Sequence, residues 1–539
     1  MRRAGAGAVW ILKFPQMNAF HGHSLIDGGL HAGDGGVFRA LCARDQREIP
    51  GVFHRAGMAE VDLAMTAARR DFPAFRAVPG ADRAAFLERV ADILTGCEDA
   101  LIERIGQEAG LPENRVRGEL ARTLWQLRMY AEIARTESWR DPRIETAEPD
   151  RHPLPKPDLR RMLVPIGPVV VFGSSNFPLA YSVAGGDTVS ALATGNPVVV
   201  KAHAAHPGTS EIVGEAITSA LRETGMPPGA FAMLHGEGAR IGVALVRHPD
   251  AGAVGFTGSY AGGRALMDAA AARPDPIPVF AEMSGLNPVV ILPGALRERP
   301  LEIAAMLAGS ITQGMGQFCT KPGLLLLCEA PGAHLFRDAL ADEIRRVAPA
   351  PLLHRGIAEE FADGCRSMLA HPAVTALAAV GNGRPVLAET GAAAVLESPV
   401  LRHEVFGPFS LIVRCAGVDE CRRVLRSLGG QLTASVFGGA GEPGADLLDD
   451  LTDIAGRVVV NGVPTGVEVC DGMQHGGPWP ATSDARFGAV GPRAFLRFVR
   501  PVAFQNTPDD LLPAALQNAN PLGLLRQVNG VPDTGKIGA

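Results

Sequence analysis

A chain of 539 residues is longer than a single hydrophobic core serves, so two or three domains are expected. Apolar residues make up 47% and charged residues 20%, a globular composition, and a net charge of −6 with no long basic run argues against a nucleic-acid partner. No segment holds the roughly 18 uninterrupted apolar residues that a membrane-spanning helix needs.

At the start, Arg2 and Arg3 precede an apolar stretch to Leu12 that Lys13 interrupts, with no small-residue cleavage site after it. Residues 1–17 therefore read as an extension, with Met17 as the alternative start. From Ala59 to about Ile133 the apolar positions recur at helical spacing, as in Phe86, Leu87, Val90 and Leu94. Three helices are expected there, with Gly110 and Pro112 between the second and third. The stretch Asp141–Leu159 is rich in Pro and Asp and reads as an excursion from the core.

The texture then changes. Short Val-rich runs, Pro168–Phe172, Pro197–Lys201, Phe231–Leu234 and Ala253–Phe256, alternate with helical stretches beginning near Pro178, Ser210, Arg240 and Ala261. Nearly continuous apolar strands separated by helices predict a parallel sheet covered on both faces, an α/β fold of Rossmann type. Ligands bind such sheets beyond the carboxyl ends of the strands. A second α/β series starts near Asn287 and includes the strand Leu324–Leu327, the helix His334–Val347 and the strand Arg457–Val460. From Gln505 onward the chain is rich in Pro and Asn with little periodicity, and a surface tail is expected.

Eight cysteines are scattered at 42, 97, 319, 328, 365, 415, 421 and 470, with no Cys-x-x-Cys pair and no zinc-type spacing. No metal site is expected, and the thiols read as reduced, in a cytoplasmic setting. Cys319 stands in the turn Gly316-Gln317-Phe318-Cys319-Thr320-Lys321-Pro322-Gly323, where it is either an inert thiol or an accessible nucleophile. Glu282 follows the strand Ile277–Phe280, as a turn residue or as a partly desolvated base. Asn176 follows Gly173-Ser174-Ser175, where its amide is a turn former or an oxyanion donor. Phosphate-friendly features also sit at strand ends: Gly236 to Gly242, one residue longer than the dinucleotide fingerprint, then Gly255-Phe256-Thr257-Gly258-Ser259, and Lys201.

The order Asn176, Lys201, Gly255–Ser259, Glu282, Cys319 and Glu404-Val405-Phe406-Gly407-Pro408 resembles the aldehyde dehydrogenase superfamily over roughly residues 20 to 505. That resemblance implies Cys319 as nucleophile, Glu282 as general base and Asn176 as oxyanion donor. It implies Lys201, His203, Gly236, Gly258, Ser259, Glu404 and Phe406 at a nicotinamide dinucleotide. It also implies three units: a nucleotide-binding domain over 18–145 and 166–286, a catalytic domain over 287–489, and an oligomerisation arm over 146–165 and 490–506. Residues 507–539 are left as the tail, and a homodimer or homotetramer is expected.

The segments His203–Ser210, Met473–Pro480 and Asn518–Gly523 resemble a branch that oxidises α-ketoglutarate semialdehyde to 2-oxoglutarate, or else fatty aldehydes. A catalytically silent binding member is the alternative of another class. Ala204 stands where relatives that prefer NAD carry a glutamate, so no carboxylate repels a 2′-phosphate. NADP is expected to be accepted alongside NAD, with Lys201, His203 and His206 as the attracting groups. For the aldehyde, Arg122, Gln126, Tyr181, Phe318 and His475 are the candidate pocket residues, with Arg122 facing a distal carboxylate.

Overall fold

The computed structural model describes residues 20–236, 239–283, 285–378 and 383–538. The reading of residues 1–17 lies outside them, as do Glu237 and Gly238 of the glycine-rich stretch and Ser284 beside Glu282.

The Val-rich runs become one seven-stranded sheet. Its order is Val279–Met283, Ala253–Gly258, Val169–Phe172, Val198–Lys201, Phe231–Leu234, Ser24–Ile26 and Gly29–His31. The first five strands are parallel, and Ser24–Ile26 joins antiparallel. The strand Val169–Phe172 is buried at every residue, as a strand covered on both faces must be. From it the chain winds outward in one direction through Val198–Lys201 and Phe231–Leu234. It then returns to the other side with Ala253–Gly258. The loops after Val169–Phe172 and Ala253–Gly258 diverge at this switch, and a crevice opens between them.

The second α/β series forms another seven-stranded sheet, ordered Thr375–Ala378, Val386–Gly391, Phe409–Cys415, Leu324–Cys328, Val289–Ile291, Gln431–Phe437 and Ala455–Val460. All neighbours are parallel except the first pair. The segment 479–483 ties the two sheets: Met283 N donates to Ala481 O, Ser483 N donates to Ala281 O, and Gly430 N, just before the strand Gln431–Phe437, donates to Trp479 O.

The helical region differs from expectation in number. It holds four helices, Met58–Ala77, Gly80–Gly96, Glu98–Glu108 and Glu113–Thr136. Cys97, at φ −98° and ψ 5°, ends one and begins the next, a break the apolar periodicity runs straight through. The helix expected from Pro178 begins only at Gly186, capped by Gly185. Residues 177–185 are instead turns, held by Ser174 N to Tyr181 O and by packing of Phe177 against both Tyr181 and Phe318.

The excursion and the tail also come together. Leu159–Pro165 pairs antiparallel with Val499–Gln505, in a five-stranded sheet ordered Val499–Gln505, Leu159–Pro165, Arg143–Glu145, Arg526–Val528 and Val531–Asp533. The expected surface tail is thus corrected. Leu512, Ala515, Leu516 and Leu524 bury with Ile144 and Met162 in a core of their own. Prolines at 508, 513 and 521 break the periodicity that would have announced it, without preventing burial.

Candidate active site

A cavity of about 1040 Å³ occupies the crevice at the switch of the first sheet. Its walls include Gly173–Asn176, Phe256–Gly262, Glu282, Cys319 and Glu404–Phe406. The helix Tyr260–Ala271 begins here with Ser259 as N-cap, its Oγ accepting from Gly262 N at 3.2 Å. A Cβ on Gly258 would stand 2.7 Å from the Phe256 ring, so glycine lets the backbone run close beside it. An enclosed crevice with a helix N-terminus on its wall suits a dinucleotide pyrophosphate. His203, Glu404 and Phe406 line the same cavity. Lys201 ends the adjacent strand, close enough to His203 to act on its charge. Gly236 is buried beyond the strand Phe231–Leu234 and is not among the wall residues.

His203 stacks on His206 at 5.5 Å and tilts against His354 at 5.7 Å. Burial, with His206, Lys201 and His354 nearby, holds His203 well below the usual imidazole range. It is a neutral ring at physiological pH, which removes His203 from the groups expected to attract a phosphate by charge.

The Cys319 turn is shaped by backbone that few residues tolerate. Gly314, Met315 and Gly316 have φ of 54°, 56° and 64°. A Cβ on Gly316 would lie 2.5 Å from the carbonyl of Gly407, so this turn rests directly on the Glu404–Pro408 loop. Lys321 fastens the same two loops, its Nζ donating to Val405 O at 3.2 Å and Phe409 O at 2.8 Å. Burial pushes its ammonium down to about 8. Asn287, at φ 47°, donates from Nδ2 to Cys319 O at 2.8 Å and Lys321 O at 3.1 Å. The thiol is thereby tied to the chain that leaves Glu282. Asn287 and Lys321 escaped the sequence reading, because only the folded loops reveal which carbonyls they meet.

The structure brings the expected catalytic groups together. Asn176 Nδ2 donates to Gln317 O at 3.1 Å, which fixes its amide two residues from the nucleophile and leaves its second N–H for another acceptor. Cys319 Sγ lies 3.5 Å from His475 Nε2, and the same nitrogen lies 2.9 Å from Glu282 Oε1. His475, expected only to shape the pocket, therefore stands between thiol and carboxylate. Burial first, and then the Glu282 carboxylate, hold the Cys319 thiol well above its ordinary value, with Arg122 opposing.

Phe177, Ala180, Tyr181, Phe318, Val469 and Val490 form an apolar cluster beside the thiol. Arg122 Nη2 donates to Tyr181 OH at 2.9 Å, and its Nε is buried without a hydrogen-bond partner. Two further arginines, not foreseen, approach the same cluster. Arg115 lies over Phe177 at 4.6 Å and Phe318 at 5.2 Å. Arg457 is close enough to Cys319 and Tyr181 to feel their charge. Its position on an expected strand gave no sign of this. Gln126 sits apart: it is buried near Gly186, and no hydrogen bond joins it to Tyr181 or Cys319 among the described residues.

Comparison with known proteins agrees with this geometry. The model of the Aldehyde dehydrogenase family matches residues 34–355. Alpha-ketoglutaric semialdehyde dehydrogenase 2 of Azospirillum brasilense is 49% identical over 518 residues, 94% of this chain and 99% of that protein. The alpha-ketoglutaric semialdehyde dehydrogenase of Acinetobacter baylyi is 42% identical over 524 residues, 96% and 99% of the two chains. A 1-pyrroline-5-carboxylate dehydrogenase from Thermus, solved with bound NAD, superposes with a TM-score of 0.76 at 20% identity, covering 90% of this chain and 92% of that one. The last likeness speaks for the fold, and the first three carry the assignment: this chain belongs to the aldehyde dehydrogenase family and is an oxidoreductase acting on aldehydes.

Proposed function

We propose that this enzyme oxidises α-ketoglutarate semialdehyde to 2-oxoglutarate with NAD⁺ or NADP⁺, through a thioester on Cys319. The observation that carries the reading is the contact of one imidazole nitrogen with both the Cys319 thiol and the Glu282 carboxylate, at the mouth of a dinucleotide-sized cavity.

The thiol proton leaves to His475 Nε2 as sulfur adds to the aldehyde carbon, and Glu282 beside that nitrogen holds the charge that results. The alkoxide that forms accepts from the free N–H of Asn176, a donor worth about 3 kcal/mol in comparable sites. A nicotinamide dinucleotide held between Ser259, Glu404 and Phe406 would supply the hydride acceptor, and loss of hydride from this carbon would leave a thioester on Cys319. Glu282 then takes a proton from water as it attacks the thioester, and the carboxylic acid departs as the proton held at His475 Nε2 returns to sulfur.

The relatives' names point to a substrate with a 2-oxo acid at its far end. Arg122 has a buried Nε without a hydrogen-bond partner, and Arg457 lies nearby, a pair of guanidinium groups suited to that carboxylate. Replacing Arg122→Ala is expected to raise KM for the semialdehyde at least tenfold and to leave an uncharged aldehyde of similar length unaffected. Equal loss on both substrates, measured by reduced-cofactor absorbance, overturns the assignment. With Ala204 in place of an acid, and Lys201 nearby, NADP⁺ is accepted as well as NAD⁺.

The enzyme assembles as a homodimer or homotetramer through its arm. Val499–Gln505 and Ala455–Val460 are edge strands of their sheets, and Val460 is 50% exposed. An arm strand laid along the second sheet of a neighbour would cover both edges. Light scattering after gel filtration is expected to give two or four chains, and a monomer refutes it. The eight cysteines are all free thiols, in keeping with a cytoplasmic enzyme.

A further inference from the structure

Sequence spacing gave no sign of a metal site, because the groups that could form one are dispersed along the chain: Cys319 and His475 are separated by 156 positions. In the fold, one sulfur, one nitrogen and one carboxylate oxygen from three separate segments lie within 4.8 Å of one another. We propose that Cys319, His475 and Glu282 bind a borderline-soft divalent cation, Zn²⁺ above all, and that occupancy switches the enzyme off by taking its nucleophile as a ligand.

The geometry suits a tetrahedral ion. With Zn–S near 2.3 Å and Zn–N and Zn–O near 2.0–2.1 Å, ligand atoms stand about 3.3–3.6 Å apart. Sγ to Nε2 is already 3.5 Å, and Nε2 to Oε1, at 2.9 Å, needs to open by only a few tenths of an ångström. The side chains of His475 and Glu282 are 0% and 3% exposed, so the ligands are held by packing. Beyond their contacts with His475 and Cys319, the Glu282 oxygens have no hydrogen-bond partner among the described residues, and neither does Nδ1 of His475. Cys319 and Glu282 both face the cavity, which gives an ion its way in and leaves a fourth position for water. One sulfur and one imidazole in the set select against Mg²⁺ and Ca²⁺, which prefer shells of oxygen.

The chemistry balances without an oxidant or reductant. The thiol gives its proton to water and its sulfur pair to the ion. The imidazole gives its Nε2 pair while its ring proton sits on Nδ1, and the carboxylate is already ionised. Binding is reversed when a chelator removes the ion. The ion's effect on turnover rests on the catalytic reading above, whereas its binding does not.

The test uses the full-length enzyme, stripped with chelator, without aldehyde or cofactor. Titration with CoCl₂ is expected to produce a sulfur-to-cobalt charge-transfer band and the intense visible bands of tetrahedral cobalt, saturating at one ion per chain. Cys319→Ser should abolish the charge-transfer band, and His475→Asn should weaken binding about tenfold or more. On the unaltered enzyme, one equivalent of ZnCl₂ should block alkylation of Cys319 by iodoacetamide until EDTA is added. Absence of the band at one equivalent, unchanged affinity in His475→Asn, or alkylation indifferent to zinc each overturns the proposal. An enzyme that binds cobalt but ignores the semialdehyde refutes the substrate assignment alone.

Discussion

At the scale of single residues, the charge on Glu282 has two opposing consequences. In the proposed mechanism it is the base that turnover needs, and it also helps to hold the neighbouring thiol above its ordinary pKa, after burial. Removing the charge should therefore stop turnover while making the resting sulfur more acidic. In Glu282→Gln, with EDTA present, the pH profile of Cys319 alkylation is expected to shift to lower pH, so that alkylation at pH 8 becomes faster than in the parent enzyme. The sign follows because a nearby anion disfavours the thiolate, and its loss lowers the pH at which thiolate forms. A profile that stays in place or moves upward refutes this account. Strand ends and a glycine-flanked turn marked Cys319, Glu282 and Asn176 as candidates, and the roles proposed for them came from the resemblance to the aldehyde dehydrogenase superfamily. The position of His475 could not, since it depends on how the segment 467–491 folds back over the strand Val279–Met283.

At the scale of elements, the parallel strands of the first sheet were legible because strands buried on both faces must be nearly all apolar, whereas of the second sheet only Leu324–Cys328 and Ala455–Val460 were foreseen. Helix limits were less legible. Tyr181 and Phe177 carry helix-compatible residues around them, yet the packing of Phe177 against Tyr181 and Phe318 holds the chain in turns until Gly185. The backbone contact of Gly316 with Gly407 was also invisible, since the two glycines are distant in sequence and adjacent only through the loops they serve. Gly316→Ala must either leave its φ of 64° or push the loops apart. A strain of about 1–3 kcal/mol is expected. A displacement of the sulfur near 1 Å would lower kcat about 100-fold. Rapid-quench measurement of acyl-enzyme formation checks this, with cofactor binding as the companion readout, and a variant with normal acylation contradicts it.

For the whole molecule, the last thirty-odd residues are an integral part of the third sheet. Leu516 is 0% exposed, in a core with Ile144 and Met162, and Arg160 Nη1 donates to its carbonyl at 2.7 Å. Leu516→Ala should cost about 2–5 kcal/mol locally. Its mark would be an earlier melting step and weakened association of chains, with both sheets around the active site still folded. If the melting curve is unchanged, these residues are the appendage that their composition suggests.

The resting of one glycine loop on another has a consequence for how such an enzyme can change. The Cys319 turn and the Glu404–Pro408 loop are joined by backbone contact and by Lys321, whereas Ala204 and His203 follow a different strand of a different sheet. On the proposed dinucleotide site, preference between the two cofactors is expected to be retunable at Ala204 without displacing Cys319. Any redesign of the ring's seat would drag the nucleophile with it.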